Sequence, residues 1–157
     1  MAETGSLPAS LTLEIVTPDR SLVTANVDEV QVPGTRGYFG VLPGHTPLLS
    51  TLAVGDLWFR KGRDVVHLSV AGGFAEVLPD RVTILAQVAE RAEEIDVARA
   101  QRAKERAEQR LAAPPPDVDP DRAQASLLRA TVRLQVAALA GSSMGRTDAN
   151  VADGRVP

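Results

Sequence analysis

The sequence predicts an all-β sandwich of two antiparallel sheets, followed by a C-terminal antiparallel helical hairpin. From residue 11 to residue 91, short runs of alternating apolar and polar residues are separated by Gly and Pro, which is typical of many short strands. From residue 96 onward, Ala and Leu recur at steps of three and four residues between charged residues, which is typical of amphipathic helices. The pattern changes within residues 95–100, and this indicates two modules joined at one point.

The composition limits the kind of protein. The chain has 157 residues, which suits one domain with an appendage. Its net charge is −3 without a block of basic residues, so nucleic acid is not an expected partner. It contains no Cys, which excludes disulfides and thiolate metal sites. No apolar stretch is long enough to span a bilayer and the first residues do not resemble a secretory signal, so we expect no direct membrane insertion.

Four segments follow from these patterns. We expect residues 1–10 to form a flexible tail, residues 11–91 the β-sandwich domain, residues 92–140 the helical hairpin domain and residues 141–157 a disordered tail. Strand patterns cover residues 11–16, 22–32, 55–71, 70–78 and 82–88. At Gly72 and Gly73 the strand pattern is interrupted, which indicates either a bulge or a close backbone approach.

The segment from residue 34 to residue 49 is rich in Gly and Pro, yet it carries many large apolar side chains. A plain solvent-exposed loop does not need so many of them. Either the segment folds over the core, or it presents an apolar surface to another protein, and the composition leaves both open. The side chains in question are Tyr38, Phe39, Val41, Leu42, Leu48 and Leu49.

Two helices are delimited by local signals. The first begins at Asp96, an N-cap acid, and ends before the three prolines at residues 114–116. The second begins with Asp119 and Pro120, and Gly141 is its predicted C-terminal cap. Most residues that would pack between the helices are Ala, so the pair needs further support from the sandwich, a ligand or a partner chain.

The junction between the modules collects the charges that suit a nucleotide. Arginines can bind phosphate and carboxylates can accept hydrogen bonds from sugar hydroxyls or an amine. The alternative is structural, because Asp96 can be a helix cap and arginines on amphipathic helices usually face water. No catalytic or metal-binding motif includes His45 or His67, and no phosphate-binding P-loop is present. The candidate residues are Glu90, Asp96, Arg99, Arg129 and Arg133.

Four stretches are similar to one known family: residues 37–49, 69–77, 82–86 and 95–100. Over residues 11–140 the sequence resembles the epsilon subunits of the bacterial F-type rotary ATP synthase, called delta in mitochondria. The resemblance implies a non-catalytic central-stalk subunit that binds the gamma subunit and the c ring, beside the catalytic alpha and beta subunits. It implies a peripheral location at the cytoplasmic face of the cell membrane, in an enzyme that translocates protons or sodium ions. It also implies that the hairpin either folds up or extends along gamma, where it inhibits ATP hydrolysis.

The resemblance also implies two sets of site residues. Some family members bind ATP as a regulatory ligand through an Ile/Leu-Asp-x-x-Arg-Ala motif, which is intact here, and no cofactor or metal is required. The implied ATP-binding residues are Glu90, Asp96, Arg99, Ala100, Arg129 and Arg133. The implied subunit interface comprises Tyr38, Phe39, Val41, Leu42, His45 and Leu48.

The chain also departs from the family. The three prolines at residues 114–116 and the tail after Gly141 are atypical, and Tyr38 stands where many relatives carry an acid. The competing interpretation is a β-sandwich module that binds a carbohydrate or a peptide, with a helical oligomerisation tail. Its weakness is that Trp58 and Tyr38 are scattered and form no evident aromatic platform. An enzyme is the third alternative, and it lacks a nucleophile–base pair.

Overall fold

The structure is a computed structural model that describes residues 5–147, with side chains described to residue 140. The chain divides into two compact units, Met1–Arg91 and Ala92–Pro157. Every described strand lies in the first unit and every described helix lies in the second.

The first unit is built from eight strands that alternate between buried and outward-facing side chains. This alternation follows from the two-residue period of a strand, which turns every second side chain toward the core. The strands are β1 (Leu11–Val16), β2 (Ser21–Val27), β3 (Glu29–Gly34), β4 (Gly37–Val41), β5 (Leu48–Thr51), β6 (Val54–Lys61), β7 (Asp64–Leu78) and β8 (Arg81–Arg91).

The strands form one continuous sheet in the order β2-β1-β8-β7-β6-β3-β4, with β5 paired to β7. The first half of β7 pairs with β6 and its second half pairs with β5, while β8 follows β7 along almost its whole length. The sheet therefore folds into two layers that share β7 and β8. The predicted β-sandwich is confirmed, with mostly antiparallel pairing. Two details differ from a simple pair of antiparallel sheets: the layers are hydrogen-bonded into one sheet, and β1 pairs with β8 in parallel.

The core between the layers is aliphatic, as the low aromatic content requires. Its largest fully buried side chains come from both layers, and every residue of the buried cluster precedes Arg91 in the sequence. The sandwich therefore has a complete core of its own. These largest buried side chains include Leu11, Leu13, Ile15, Leu57, Leu68 and Ile84.

The passage of β7 and β8 from one layer to the other occurs at Gly72 and Gly73. Their φ angles are +71° and +111°, in the region that favours glycine. The pairs Ala71–Val88 and Gly73–Ala86 keep the same register, so no residue is inserted. A Cβ atom on Gly73 would overlap the Leu85 carbonyl oxygen and lie 2.9 Å from the Ala86 Cα atom. Of the two predicted alternatives, the close backbone approach is therefore the one observed.

The second unit contains a 3-10 turn (Ala92–Glu94), helix α1 (Val97–Ala112) and helix α2 (Pro120–Thr147). The helices pack on each other, and α2 also packs on the 3-10 turn that precedes α1. With only seven linking residues between the helices, this contact makes the pair antiparallel. Their packed faces are made mostly of alanine, and the buried alanines are Ala100, Ala107, Ala123 and Ala130.

The helix starts agree with the local signals and one helix end does not. The side chain of Asp119 accepts a hydrogen bond from the Asp121 N–H at 3.0 Å, so α2 begins with the expected cap. Gly141 does not end α2, which continues to Thr147. A glycine inside a helix costs only about 1 kcal/mol, which the flanking helical residues can offset. The rest of the predicted disordered tail, residues 148–157, and residues 1–4 of the predicted flexible tail lie outside the described residues.

Gly73→Ala should destabilise the sandwich by about 3 kcal/mol or more, because it combines an unfavourable φ with overlap of a neighbouring backbone. Gly62→Ala is the matched control, since Gly62 also has a positive φ (+61°) but open space around it. We expect it to cost about 1 kcal/mol. Urea denaturation followed by the fluorescence of Trp58, the single tryptophan, measures both. Equal losses would show that the corner relaxes around a side chain.

Candidate functional site

The predicted interface residues lie on two short strands and the loop between them. Tyr38 and Phe39 belong to β4, whereas Leu42 and His45 lie in the loop that leads to β5. Leu48 is the first residue of β5. Tyr38, Leu42 and Leu48 are exposed, and so is the neighbouring Leu49.

Val41 is the exception, and the prediction that it lies on the surface is wrong. Its side chain is 0% exposed and it pairs with Val30, another core residue. Phe39 is half-buried and packs against the same core. Part of this apolar segment therefore belongs to the core and part of it is exposed, since alternate side chains of β4 turn inward and outward. Whether the exposed part contacts another protein stays a prediction.

The exposed residues are held in a defined conformation. The Tyr38 hydroxyl accepts a hydrogen bond from the Asp56 N–H at 3.3 Å, and the ring lies so close to Gly55 that a Cβ atom there would be 2.6 Å from the hydroxyl oxygen. In the loop, the Gly44 N–H donates to the Pro79 carbonyl at 2.7 Å, and His45 Nδ1 lies 2.6 Å from the Thr46 carbonyl oxygen. The segment is thus a fixed surface that exposes apolar side chains.

Asp96 has the capping geometry in the helical unit. Its backbone is extended, and its Oδ1 atom accepts a hydrogen bond from the Arg99 N–H at 2.9 Å. The structural interpretation of Asp96 as an N-cap is therefore confirmed. Ala100 is fully buried between the helices, so its role in the motif is packing.

The predicted arginines lie on the same helix pair. Arg99 and Arg129 are exposed, and Arg133 is half-buried. Both helices rise by about 1.5 Å per residue from the linker that joins them, so Arg99 on α1 and Arg133 on α2 lie at about the same height along the pair. Glu90 belongs to β8 of the first unit, where it pairs with Ser69. The helical unit therefore holds five of the six predicted residues.

The structure also groups four arginines that the sequence prediction left out. On both helices, an arginine immediately precedes each of several residues that line the packed face, as in Arg99–Ala100 and Arg129–Ala130. On each helix these arginines form a row that is displaced by one residue, toward the N-terminus, from the row of packed residues. Because this displacement is the same on both helices and the helices are antiparallel, the two rows of arginines lie on one side of the hairpin. We call this side the arginine face. Its members are Arg99, Arg102, Arg106, Arg110, Arg122, Arg129 and Arg133.

Most of these arginines are not neutralised within the hairpin. In the part of the chain that the structure describes, Arg102, Arg106, Arg110 and Arg122 are exposed and have no ion pair or side-chain hydrogen bond. The Arg99 guanidinium also has no ion pair or hydrogen bond among the described residues, whereas Arg129 donates a hydrogen bond to the Ser126 hydroxyl at 3.1 Å. A row of guanidinium groups of this kind suits phosphate or several carboxylates, because each group can donate two parallel hydrogen bonds to an oxyanion.

Family models match both units. The description "ATP synthase, Delta/Epsilon chain, beta-sandwich domain" matches residues 10–92, and "ATP synthase, Delta/Epsilon chain, long alpha-helix domain" matches residues 93–138. Together they cover most of the chain. They replace the carbohydrate- or peptide-binding module as the interpretation of this sandwich.

Relatives agree with the family models. An ATP synthase epsilon chain from Nitratidesulfovibrio vulgaris (strain DP4) is 54% identical over 127 residues, covering 81% of this chain and 95% of the relative. Another from Solibacter usitatus is 52% identical over 131 residues, covering 83% and 98%. A chain in the cryo-EM structure of Euglena gracilis mitochondrial ATP synthase shares the fold, with a TM-score of 0.65, 24% identity and coverage of 92% and 87%.

The protein described here therefore belongs to the family of ATP synthase epsilon chains, and as such it is a rotor-stalk subunit of that enzyme. None of the helices that the structure describes is long and apolar enough to cross a membrane.

Asp96→Ala and Asp96→Asn separate capping from charge at this position. The alanine variant should lose about 1 kcal/mol of helix stability, because the Arg99 N–H loses its acceptor, whereas asparagine keeps it. Hydrogen exchange of the Arg99 amide is the direct measurement: faster in Asp96→Ala, and close to the parent chain in Asp96→Asn. If both variants lose protection equally, the negative charge and not the cap stabilises the first turn.

Proposed function

We propose that this chain is a non-catalytic subunit that couples gamma to the c ring, at the cytoplasmic face of the membrane, beside the alpha and beta subunits. The sandwich docks through the exposed residues around β4 and β5. The helix pair inhibits ATP hydrolysis when it leaves its folded state, and ATP binding favours the folded state. Membership of the epsilon family carries this proposal, and the exposure, packing and charge of the described residues support its docking and switching parts.

The docking role of the β4–β5 segment is supported by its exposed apolar side chains on a fixed backbone. Tyr38, Leu42 and Leu48 are large apolar or aromatic residues in contact with water. Exposed large apolar side chains grouped in one segment favour a protein–protein contact. Because the Asp56 N–H donates to the Tyr38 hydroxyl and the Pro79 carbonyl accepts from the Gly44 N–H, the segment is held in place and little ordering is needed when a partner binds.

The mobility of the helix pair is supported by its shallow packed face. Each buried methyl contributes about 0.8 kcal/mol, and helices of this length are marginal by themselves. Of the six buried side chains that the structure describes on the two helices, four are single methyl groups, from Ala100 and Ala107 on α1 and Ala123 and Ala130 on α2; the other two are Val132 and Val136. A small gain or loss of interaction energy therefore decides whether the pair stays folded.

A nucleotide can supply that energy. A ligand that binds only the folded state stabilises it by about 2.7 kcal/mol at a hundredfold excess over its Kd. This equals the contribution of a few buried methyls. The arginine face offers phosphate-binding groups, and only the folded antiparallel pair brings Arg99 on α1 beside Arg129 and Arg133 on α2. This part of the proposal rests on the helical unit, and the contribution of Glu90 stays a prediction.

The linker limits how the pair can open. Helix α1 is closed by a hydrogen bond from the Ala113 N–H to the Gln109 carbonyl, and a turn joins the Val118 N–H to the Pro115 carbonyl at 3.1 Å. The prolines between them cannot continue an α-helix. The helices therefore separate by a hinge at residues 113–119 and do not merge into one continuous helix.

Truncation after Arg91 tests the inhibitory role. The shortened chain should fold, because the buried cluster of the sandwich ends at Ala89, and it should still bind an assembly of alpha, beta and gamma subunits. ATP hydrolysis by that assembly should be higher than with the full chain, or unchanged if the hairpin stays folded under the assay conditions. A lower hydrolysis rate with the truncated chain would contradict the proposal, and a truncated chain that fails to fold would contradict the two-unit description.

Calorimetry tests the nucleotide. ATP should bind the full chain, and Arg99→Ala or Arg129→Ala should weaken binding about ten- to a hundredfold, because each removes a charge-assisted hydrogen bond of roughly 1.5–3 kcal/mol. Arg63→Ala, in the turn between β6 and β7, is the control and should bind ATP like the parent chain. No heat at millimolar ATP, or an affinity in both hairpin variants equal to that of the parent chain, would leave the arginines as surface charge.

A further inference from the structure

The Tyr38 side chain is held through its oxygen atom. The pairing of β3 with β6 ends at Gln31 and Trp58, so Asp56, two residues before Trp58, lies beyond this ladder. The Asp56 N–H donates to the Tyr38 hydroxyl at 3.3 Å instead. The Tyr38 oxygen therefore acts as a hydrogen-bond acceptor for β6, at the place where β3 leaves it.

The ring reaches this N–H because Gly55 leaves room for it. Tyr38 pairs with Pro33 on β3, and a Cβ atom on Gly55 would lie 2.6 Å from the Tyr38 hydroxyl oxygen and 3.2 Å from its Cζ atom. The side chain thus extends from β4 past β3 to β6, and the residue is still 56% exposed. The hydroxyl has a defined position at the surface.

The hydroxyl proton is available to a partner. A phenol can donate its single O–H while its oxygen accepts another hydrogen bond. Among the described residues, the Tyr38 hydroxyl donates to none. The Asp56 carboxylate is engaged with His67, whose Nδ1 atom lies 2.9 Å and 3.1 Å from its two oxygens. An exposed donor therefore stands among the apolar side chains of the β4–β5 segment.

We propose that the Tyr38 hydroxyl determines which surface the β4–β5 segment accepts, by donating a hydrogen bond to a carbonyl oxygen of the partner subunit. The partner's apolar side chains around that oxygen contact Leu42 and Leu48, which are exposed here. A carboxylate is disfavoured as the acceptor, because Asp56 already places a negative charge next to the N–H that holds the hydroxyl. The inference rests on the proposed function in one respect, which is that the β4–β5 segment docks on another subunit of the ATP synthase.

The test measures the affinity of the full chain for purified ATP synthase from which this chain has been removed. Tyr38→Phe keeps the ring and should weaken binding about two- to tenfold, the range expected for one neutral hydrogen bond. Replacing Tyr38 by 4-aminophenylalanine puts an N–H donor at the same place and should restore the affinity to within about twofold of the parent chain. Tyr38→Glu offers only acceptors and should weaken binding more than Tyr38→Phe.

Two further variants serve as controls. Leu48→Asp places a charge in the apolar part of the segment and should weaken binding about tenfold or more, which tests the docking role alone. Asp56→Asn removes a negative charge and leaves the backbone N–H in place. With a carbonyl oxygen as the acceptor, its affinity should change less than about twofold. Circular dichroism checks that each variant is folded. If Tyr38→Phe unfolds, 4-methoxyphenylalanine replaces it, since its oxygen still accepts from the Asp56 N–H but it has no O–H to donate.

The outcomes separate the two proposals. If the parent chain does not bind, or if Leu48→Asp binds as tightly as the parent, the docking role in the proposed function fails. If Leu48→Asp weakens binding but the variant without the O–H binds like the parent, or if 4-aminophenylalanine restores nothing, the donor role of Tyr38 is wrong. Tyr38→Glu that binds as tightly as the parent would show that the partner presents a donor, and clearly tighter binding of Asp56→Asn would assign the acceptor to a carboxylate. Either result would overturn the proposal.

Discussion

The antiparallel pairing of β7 with β8, and the close approach of their backbones at Gly73, is the constraint on which the sandwich depends. These two strands belong to both layers, so their shared corner sets how the layers face each other and where the core lies. The second half of β7 also pairs with β5, which carries the exposed Leu48 and Leu49. One backbone contact therefore organises the core of the sandwich and the strand that β5 pairs with.

The helical unit follows a different principle, in which weak packing is combined with a concentrated charge. Its packed face is made mostly of alanine, and the residue before each of several packed positions is an arginine. Packing the helices therefore brings seven positive charges onto one side, where they repel one another in the absence of an anion. An anion bound there would relieve that repulsion. In the proposed function, the unit combines a low intrinsic stability with an anion site that is complete only when the helices are packed, which is the arrangement that a ligand-controlled switch requires.

Local sequence signals predicted where the helices begin, but they could not predict how distant strands and helices pack on each other. The start of α1 at Asp96, its end before Pro114 and the start of α2 at Pro120 were predicted correctly, because capping acids and prolines act within one helical turn. The continuation of α2 past Gly141 was missed, since one glycine is a weak stop signal. Which outer residues would be buried, as for Val41, depends on the pairing of β4 with β3, which no local pattern reveals. The repeat behind the arginine face is visible in the sequence, since an arginine precedes several of the residues on the packed face. That the two rows of arginines lie on the same side of the hairpin follows only from the antiparallel packing of the helices.

The central claim is that a rigid docking sandwich carries a helix pair whose folded state is marginal and is stabilised by nucleotide. Hydrogen exchange of the full chain, measured with and without saturating ATP, tests this claim most directly. The account predicts slow exchange at β7 and β8 under both conditions, and exchange at α1 and α2 that is fast without ATP and clearly slower with it. Exchange in both helices that is already as slow as in β7 and β8, or that ATP leaves unchanged, would contradict the account.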